Sequence, residues 1–294
     1  MTAPWWLSSY PKSGNTWFRM LLANLEAGAG PIDINDPPDR DGIASARGLF
    51  ESMTLLDTSL LTADEIDDLR PSVYRAWAAL EGDGEERGRP RFIKVHDAYL
   101  ATSRGEPLLG GETAAAGAIV IVRDPRAVAP SLAHHLRMSV DEAILMMNDR
   151  EAALSSGLRG QTRQLRQRLL DWSGHIASWL DQGDIPVHLV RYEDLWTQPV
   201  TVFGAALAFA GISVGDEVLA RAVDYSSFSR LQAQEREKGF LEWQHSGRAG
   251  LFFRRGTCDG WKGELSDGQI RRIEMAHGPM MARLGYRKME EKNG

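Results

Sequence analysis

Trp5-Trp6-Leu7-Ser8-Ser9-Tyr10-Pro11-Lys12-Ser13-Gly14-Asn15-Thr16-Trp17 is the stretch on which the fold turns. Trp5 to Tyr10 is a short aromatic and apolar run of the kind that forms a buried strand, and the spacing of Trp17, Met20, Leu21, Asn24 and Leu25 predicts a helix from about Trp17. The loop between them turns backbone N–H groups and a positive helix end toward one point, with Lys12, Ser13 and Thr16 as added donors. A phosphate fits there. The spacing is not that of a Walker A loop, because Lys12 precedes the only glycine, so an ordinary nucleoside triphosphatase is disfavoured. Taken alone, the segment also fits a tight strand-to-helix turn with an incidental lysine.

Working outward, Arg91 to His96, Ala118 to Arg123 and Val187 to Tyr192 read as three more buried strands. Segments of helical periodicity lie between them, including Leu165, Leu169, Trp172, Ile176 and Trp179. The alternation predicts an α/β protein: one domain over residues 1–294, with a central, mainly parallel sheet flanked by helices. Residues 31–90 carry Pro31, Pro37, Pro38 and Pro71 and a helix start at Thr62-Ala63-Asp64-Glu65, and read as an insertion. They hold fourteen Asp/Glu against six Arg, and this excess most simply solvates one face.

The whole chain has 294 residues and a net charge of −6, so no basic field supports binding to nucleic acid. Cys258 is the single cysteine, which forbids an intramolecular disulfide and points to a reducing compartment. No signal peptide or apolar run long enough to span a bilayer is evident, and a cytoplasmic location is expected. No His, Asp or Glu pattern has metal-ligand spacing, so no metal is expected. Oligomeric state is open.

A second anion site follows the third strand. Arg123-Asp124-Pro125-Arg126 places Arg123 where open parallel sheets bind ligands, at the strand's carboxyl end, and Ser131 two turns into the next helix. The alternative is a helix cap by Asp124 with a surface Arg123. Together, Tyr10 to Trp17 and Arg123-Asp124-Pro125-Arg126 with Ser131 resemble the 5′-phosphosulfate loop and 3′-phosphate motif of sulfotransferases that use 3′-phosphoadenosine-5′-phosphosulfate (PAPS). Phe92-Ile93-Lys94-Val95-His96 is similar to that family's strand ending in the catalytic base. Arg191 to Leu195, with Tyr192, and Ser226-Ser227-Phe228 resemble its adenine-contacting segments. Phe252 to Lys262 resembles its late loop over the 3′-phosphate, with Asp259-Gly260 inverting the usual Gly-Asp order, which moves the position free to take positive φ to residue 260.

The resemblance implies sulfonate transfer from PAPS to a hydroxyl, less readily an amine, of a small organic acceptor, with adenosine 3′,5′-bisphosphate (PAP) as product. It implies His96 as general base, Lys12 at the bridging oxygen and Lys94 orienting the sulfonate. Donor contacts are expected from Lys12, Ser13, Gly14, Asn15, Thr16, Trp17, Arg123, Ser131, Tyr192, Ser226, Phe228, Arg254, Arg255 and Gly256. Only six lysines occur, and Lys12, Lys94 and Lys262 fall inside these motifs, which suits Lys as a mobile point charge and Arg as a fixed phosphate fork. His96 has its ordinary near-neutral pKa as the starting expectation.

Several residues keep two readings. Trp17 is a core residue, an adenine neighbour, or both. His134-His135 either face the acceptor or cover the sheet, and Met138, Met146 and Met147 read as soft packing or a greasy pocket. Residues 238–262, with Phe240, Trp243, Phe252 and Phe253, read as a flap that orders when a 3′-phosphate recruits its arginines. A kinase-like phosphoryl transferase, which would need Mg²⁺, and a nucleotide binder without turnover are the rival functions.

Overall fold

The computed structural model describes residues 3–36, 42–80, 90–155, 163–243 and 250–287. Pro37, Pro38, residues 81–89 of the acidic segment and residues 244–249 of the flap lie outside the described residues.

The chain opens with β1 (Trp5–Ser9) and α1 (Asn15–Leu25), followed by α2 (Arg47–Thr54) and α3 (Ala63–Ala79). β2 (Phe92–Val95) and β3 (Gly117–Val122) lead to α4 (Pro125–Leu136) and α5 (Val140–Met147). A short antiparallel ribbon of β4 (Ala153–Leu154) and β5 (Gln167–Arg168) precedes α6 (Trp172–Leu180) and β6 (Val187–Arg191). The rest is helical: α7 (Tyr192–Thr197), α8 (Pro199–Phe209), α9 (Asp216–Tyr225), α10 (Phe228–Lys238) and α11 (Asp267–Arg283).

The four strands read from sequence form one parallel sheet in the order β2-β1-β3-β6, with Trp5 opposite both Phe92 and Gly117 and Val122 opposite Arg191. Alternation along each strand sends side chains to two apolar layers. Trp6, Ile93, Val95, Val120 and Val122 join the core under α4, α5, α6 and α11, whereas Trp5, Leu7, Phe92, Ile119 and Ile121 join a second core under α1, α8 and α9. The result is the expected single α/β domain with helices on both faces.

The acidic segment is more deeply integrated than an appended insertion. Ala44 N–H donates to the Lys94 carbonyl at 2.8 Å, so the chain before α2 runs along β2 at the sheet edge, and Phe50, Val73 and Tyr74 are buried in the larger core. Thr62 and Glu65 make the anticipated reciprocal cap of α3. Pro71, read as a loop signal, lies inside α3, where packing of its buried face outweighs the local break. Part of the acidity is internal: Asp67 is buried between Arg70 and Arg166, and Arg70 makes a fork to Asp97 at 2.6 and 3.1 Å with both side chains fully buried. Asp97 directly follows the residue read as the base, so this pair fixes the exit of β2. Met147 is buried, and Met138 and Met146 pack on the same core.

Candidate active site

β1 ends in a turn whose Ser13 N–H donates to the Tyr10 carbonyl, and α1 begins with Gly14 as its cap residue and no side-chain cap. The first N–H groups of α1 are therefore not engaged by a capping side chain, as an anion site requires. Gly14 has φ 110°, and a Cβ there would lie 2.7 Å from the Tyr192 ring, so backbone geometry and space both demand glycine. Lys12 takes φ 70°, a left-handed conformation uncommon for a side-chain-bearing residue.

This loop, the ends of β2 and β3, α7, α10 and the segments 241–243 and 252–264 line a cavity of about 1050 Å³. Of the residues read from sequence, Lys12, Gly14, Asn15, Thr16, Trp17, Lys94, His96, Arg123, Ser131, Tyr192, Phe228, Arg254, Arg255 and Gly256 line it. Ser13 and Ser226 do not. Both are fully buried behind the wall, where Ser226 accepts from the Trp17 indole through its carbonyl and from Asn24 through its hydroxyl. Asn15 turns its amide down to the Leu7 carbonyl at 2.9 Å and the Ser9 hydroxyl at 3.3 Å, bracing the loop on β1.

His96 leaves β2 with Nδ1 2.8 Å from the Ser9 carbonyl. A carbonyl only accepts, so Nδ1 carries the proton and Nε2 keeps a lone pair. Burial, and then the Lys94 ammonium, hold the imidazole well below its ordinary value, against the pull of the Ser9 carbonyl. This corrects the near-neutral expectation: the ring is an unprotonated base throughout the neutral range. Lys12 is also perturbed, by burial and by Arg123 and Lys94, down to about 7. Its ammonium sits 3.6 Å from the centre of the Phe252 ring.

Arg123 is a junction of the two anion motifs. Its guanidinium donates to the Lys12 carbonyl at 3.3 Å and the Thr257 carbonyl at 3.2 Å, and lies 4.3 Å over Tyr192. Its Nε is buried with no hydrogen-bond partner, so it retains capacity toward a ligand. Asp124 caps α4 and binds Arg126, which reaches Glu274 at 2.7 Å and stacks over Trp261, so this part of the motif braces the late loop. At Gly256, φ 56° and a Phe228 ring 2.2 Å from where a Cβ would stand leave room for glycine alone. Neither Asp259, at φ −99°, nor Gly260 takes positive φ, so the inverted order moves no left-handed position; the turn places it at Gly256 instead.

In the flap, Phe240, Trp243 and Phe253 are buried in a small core with Met20, Ile34 and Leu231, and Glu235 accepts from the N–H groups of Phe252 and Phe253. Apolar burial and a buried carboxylate hold these described parts of 238–262. His134 and His135 stack on Trp243 with centroids 5.2 and 5.5 Å away, and His135 lines the cavity.

Sequence reading missed several cavity residues, among them Trp196, Arg19, Glu242 and Glu264. Trp196 joins Trp17 and Tyr192 in an aromatic slot with centroids 5.6 to 6.4 Å apart, and its i+4 spacing from Tyr192 was a usable signal. Arg19, Glu242 and Glu264 bear charges that local patterning reads as surface. Cys258 is no nucleophile, since burial pushes its thiol up to about 11. Among the described residues no cluster of three His, Cys, Asp or Glu is arranged to hold a metal, and no helix is long and apolar enough to cross a membrane.

The sequence and the fold have counterparts in known proteins. Luciferin sulfotransferase of Photinus pyralis is 22% identical over 275 residues, covering 91% of this chain and 69% of that protein. The fold is similar to mouse sulfotransferase SULT7A1 complexed with PAP, with TM-score 0.56 and 19% identity over 99% of this chain and 86% of the other. It is also similar to retinol dehydratase in a complex with retinol and PAP, with TM-score 0.60 and 17% identity over 96% and 82% of the two chains. A family model described as Sulfotransferase domain matches residues 3–285, nearly the full length over which these loops, strands and helices were traced, and the chain belongs to the sulfotransferase family.

Proposed function

We propose that the protein moves the sulfonate group of PAPS to a hydroxyl of a small organic acceptor, releasing PAP. The observation that carries the reading is the pairing, in one cavity, of a neutral His96 whose proton is pinned at Nδ1 with two lysines, Lys12 and Lys94. The donor residues fit PAPS: a capless helix start and Lys12 suit a 5′-phosphosulfate, the Trp17, Tyr192, Trp196 and Phe228 rings suit adenine, and Arg123, Ser131, Arg254 and Arg255 suit a 3′-phosphate. The bound donor supplies sulfur to an attacking oxygen, with a phosphate oxygen leaving as the new O–S bond forms.

His96 Nε2 takes the acceptor's hydroxyl proton, a role worth about 10²- to 10⁴-fold in rate. Lys12 neutralises charge gathering on the leaving phosphate, and Lys94 orients the sulfonate. The remote arginines supply binding energy that fixes the geometry. The side assigned to the acceptor mixes apolar Ile43, Leu136, Leu154, Trp243 and Phe252 with polar His135, Ser155, Gln164 and Gln167, which suits a small organic molecule bearing a hydroxyl; retinol dehydratase is described with androsterone and retinol. Family membership weighs against phosphoryl transfer. Thermal shift with PAP and AMP, with and without Mg²⁺, tests the donor assignment, and labelled PAPS offered with a panel of phenols, sterols, sugars and natural-product scaffolds tests turnover. PAP stabilises far more than AMP, independently of Mg²⁺. Equal shifts, or label transfer from ATP instead of PAPS, overturn the reading.

A further inference from the structure

Lys12, Arg19, Lys94, Arg123, Arg254 and Arg255 are among the cations that line one cavity. Their mutual repulsion at short range is expensive unless anions stand between them. Two carboxylates do so. Glu264, just beyond the late loop, takes the guanidinium of Arg254 end-on, Nη1 to Oε2 at 2.7 Å and Nη2 to Oε1 at 2.9 Å, and its Oε1 also lies 3.3 Å from Arg255 Nη1. Glu242, on the flap, places Oε1 2.7 Å from Arg19 Nη1 and Oε2 3.8 Å from Lys94 Nζ.

The Nη1/Nη2 edge that holds the Glu264 carboxylate is also an edge that grips a phosphate, so Arg254 cannot offer that edge to both at once. The same holds for the face of Lys94 turned to Glu242. Resting on the reading that the two cation groups serve the two ends of PAPS, we infer that Glu242 and Glu264 are affinity- and selectivity-determining residues that compete with the donor, Glu242 with its sulfonate for Lys94 and Glu264 with its 3′-phosphate for Arg254 and Arg255. Arg19 gives this arrangement its asymmetry: its shorter bond retains Glu242 at the cavity wall when the sulfonate takes Lys94. The flap carboxylate also contributes to keeping Lys12 charged, together with Glu235 and against Arg123 and Lys94.

Rivalry and simple positioning predict opposite signs. A positioning carboxylate weakens donor binding when removed; a rival strengthens it, and only for ligands that carry the contested group. AMP, adenosine 5′-phosphosulfate, PAP and PAPS, titrated by calorimetry without acceptor, vary the two groups independently. Glu264→Gln tightens PAP and PAPS about three- to tenfold and leaves AMP and adenosine 5′-phosphosulfate unchanged. Glu242→Gln, titrated at about pH 5.5 where Lys12 stays protonated without the flap carboxylate, tightens the two sulfonate-bearing ligands by a similar factor and leaves AMP and PAP unchanged. Glu264→Ala and Glu242→Ala, which cannot hydrogen-bond the cations at all, tighten at least as much, and a melting curve for each variant shows that it is folded. Weaker or unaltered binding of the contested ligands by folded variants overturns the rivalry. A wild-type protein that binds PAP no better than AMP instead overturns the donor assignment on which the rivalry rests.

Discussion

Replacing Gly14 by Ala tests whether the first loop is as tightly specified as its geometry states. At φ 110° and ψ 8° an alanine pays for a left-handed backbone, about 1–2 kcal/mol. Its Cβ also meets Tyr192 Cδ2 at 2.7 Å and Cε2 at 3.3 Å, and overpacking of this kind costs about 1–3 kcal/mol. The ring cannot retreat freely, because Arg123 lies 4.3 Å above it and Trp17 and Trp196 crowd its other contacts. The combined penalty is about 2–5 kcal/mol, which lowers Tm by roughly 5–15 °C at the few degrees per kcal/mol seen for large domains. Any relaxation that relieves the clash moves Tyr192 and Arg123, so PAP binding weakens about tenfold or more even where stability is partly recovered. Gly28→Ala is the control: it has open space and no positive φ. Scanning calorimetry and PAP titration of the two variants decide the matter. A Gly14→Ala protein that melts within a degree of wild type and binds PAP within threefold would refute the claim that the loop is held against Tyr192.

His96→Ala lowers kcat at least about 100-fold, while PAP binding measured by calorimetry stays within a few fold, because the base faces the acceptor. Lys12, held at about 7 in the empty cavity, must be protonated to serve a phosphate, so PAP binding above that pH takes up a proton and affinity falls as pH rises, by at most about tenfold per unit. Titrations in two buffers of different ionisation enthalpy reveal the uptake, and Lys12→Gln removes it. Asp97→Asn leaves the fully buried Arg70 short of a countercharge and costs about 3–5 kcal/mol of stability by denaturant melting.

The sheet was legible because four short β-rich runs alternate with helical periodicity, and both anion loops follow a strand directly. Twelve of the donor-site residues named from those loops and from the later motifs line one cavity, as do Lys94 and His96. What escaped reading is non-local. Arg19 and Glu242 are 223 residues apart, and neither neighbourhood announces that its charge faces inward. Ser13 and Ser226 sit in the right segments but point away from the cavity, since a motif fixes a residue's place on the chain and packing decides where its hydroxyl ends. The edge role of residues 42–44 beside β2 was hidden because a bridge of one or two residues has no period to detect. The lowered His96 basicity likewise depends on burial and on Lys94, quantities that spacing does not contain.

The group that fixes the His96 tautomer is a main-chain oxygen. Any residue at position 9 carries that carbonyl, so no single substitution there deletes the hydrogen-bond acceptor the imidazole relies on, although burial of Ser9 limits the side chains that fit. A base oriented by another side chain is lost when either member mutates; here the target is one residue wide. Acceptor-facing positions such as Leu136, Leu154 and Trp243 belong to other parts of the chain, and their replacement leaves the Ser9 carbonyl in place. For the proposed reaction, acceptor preference is thus separable from proton transfer, which makes the cavity wall a suitable target for diversification.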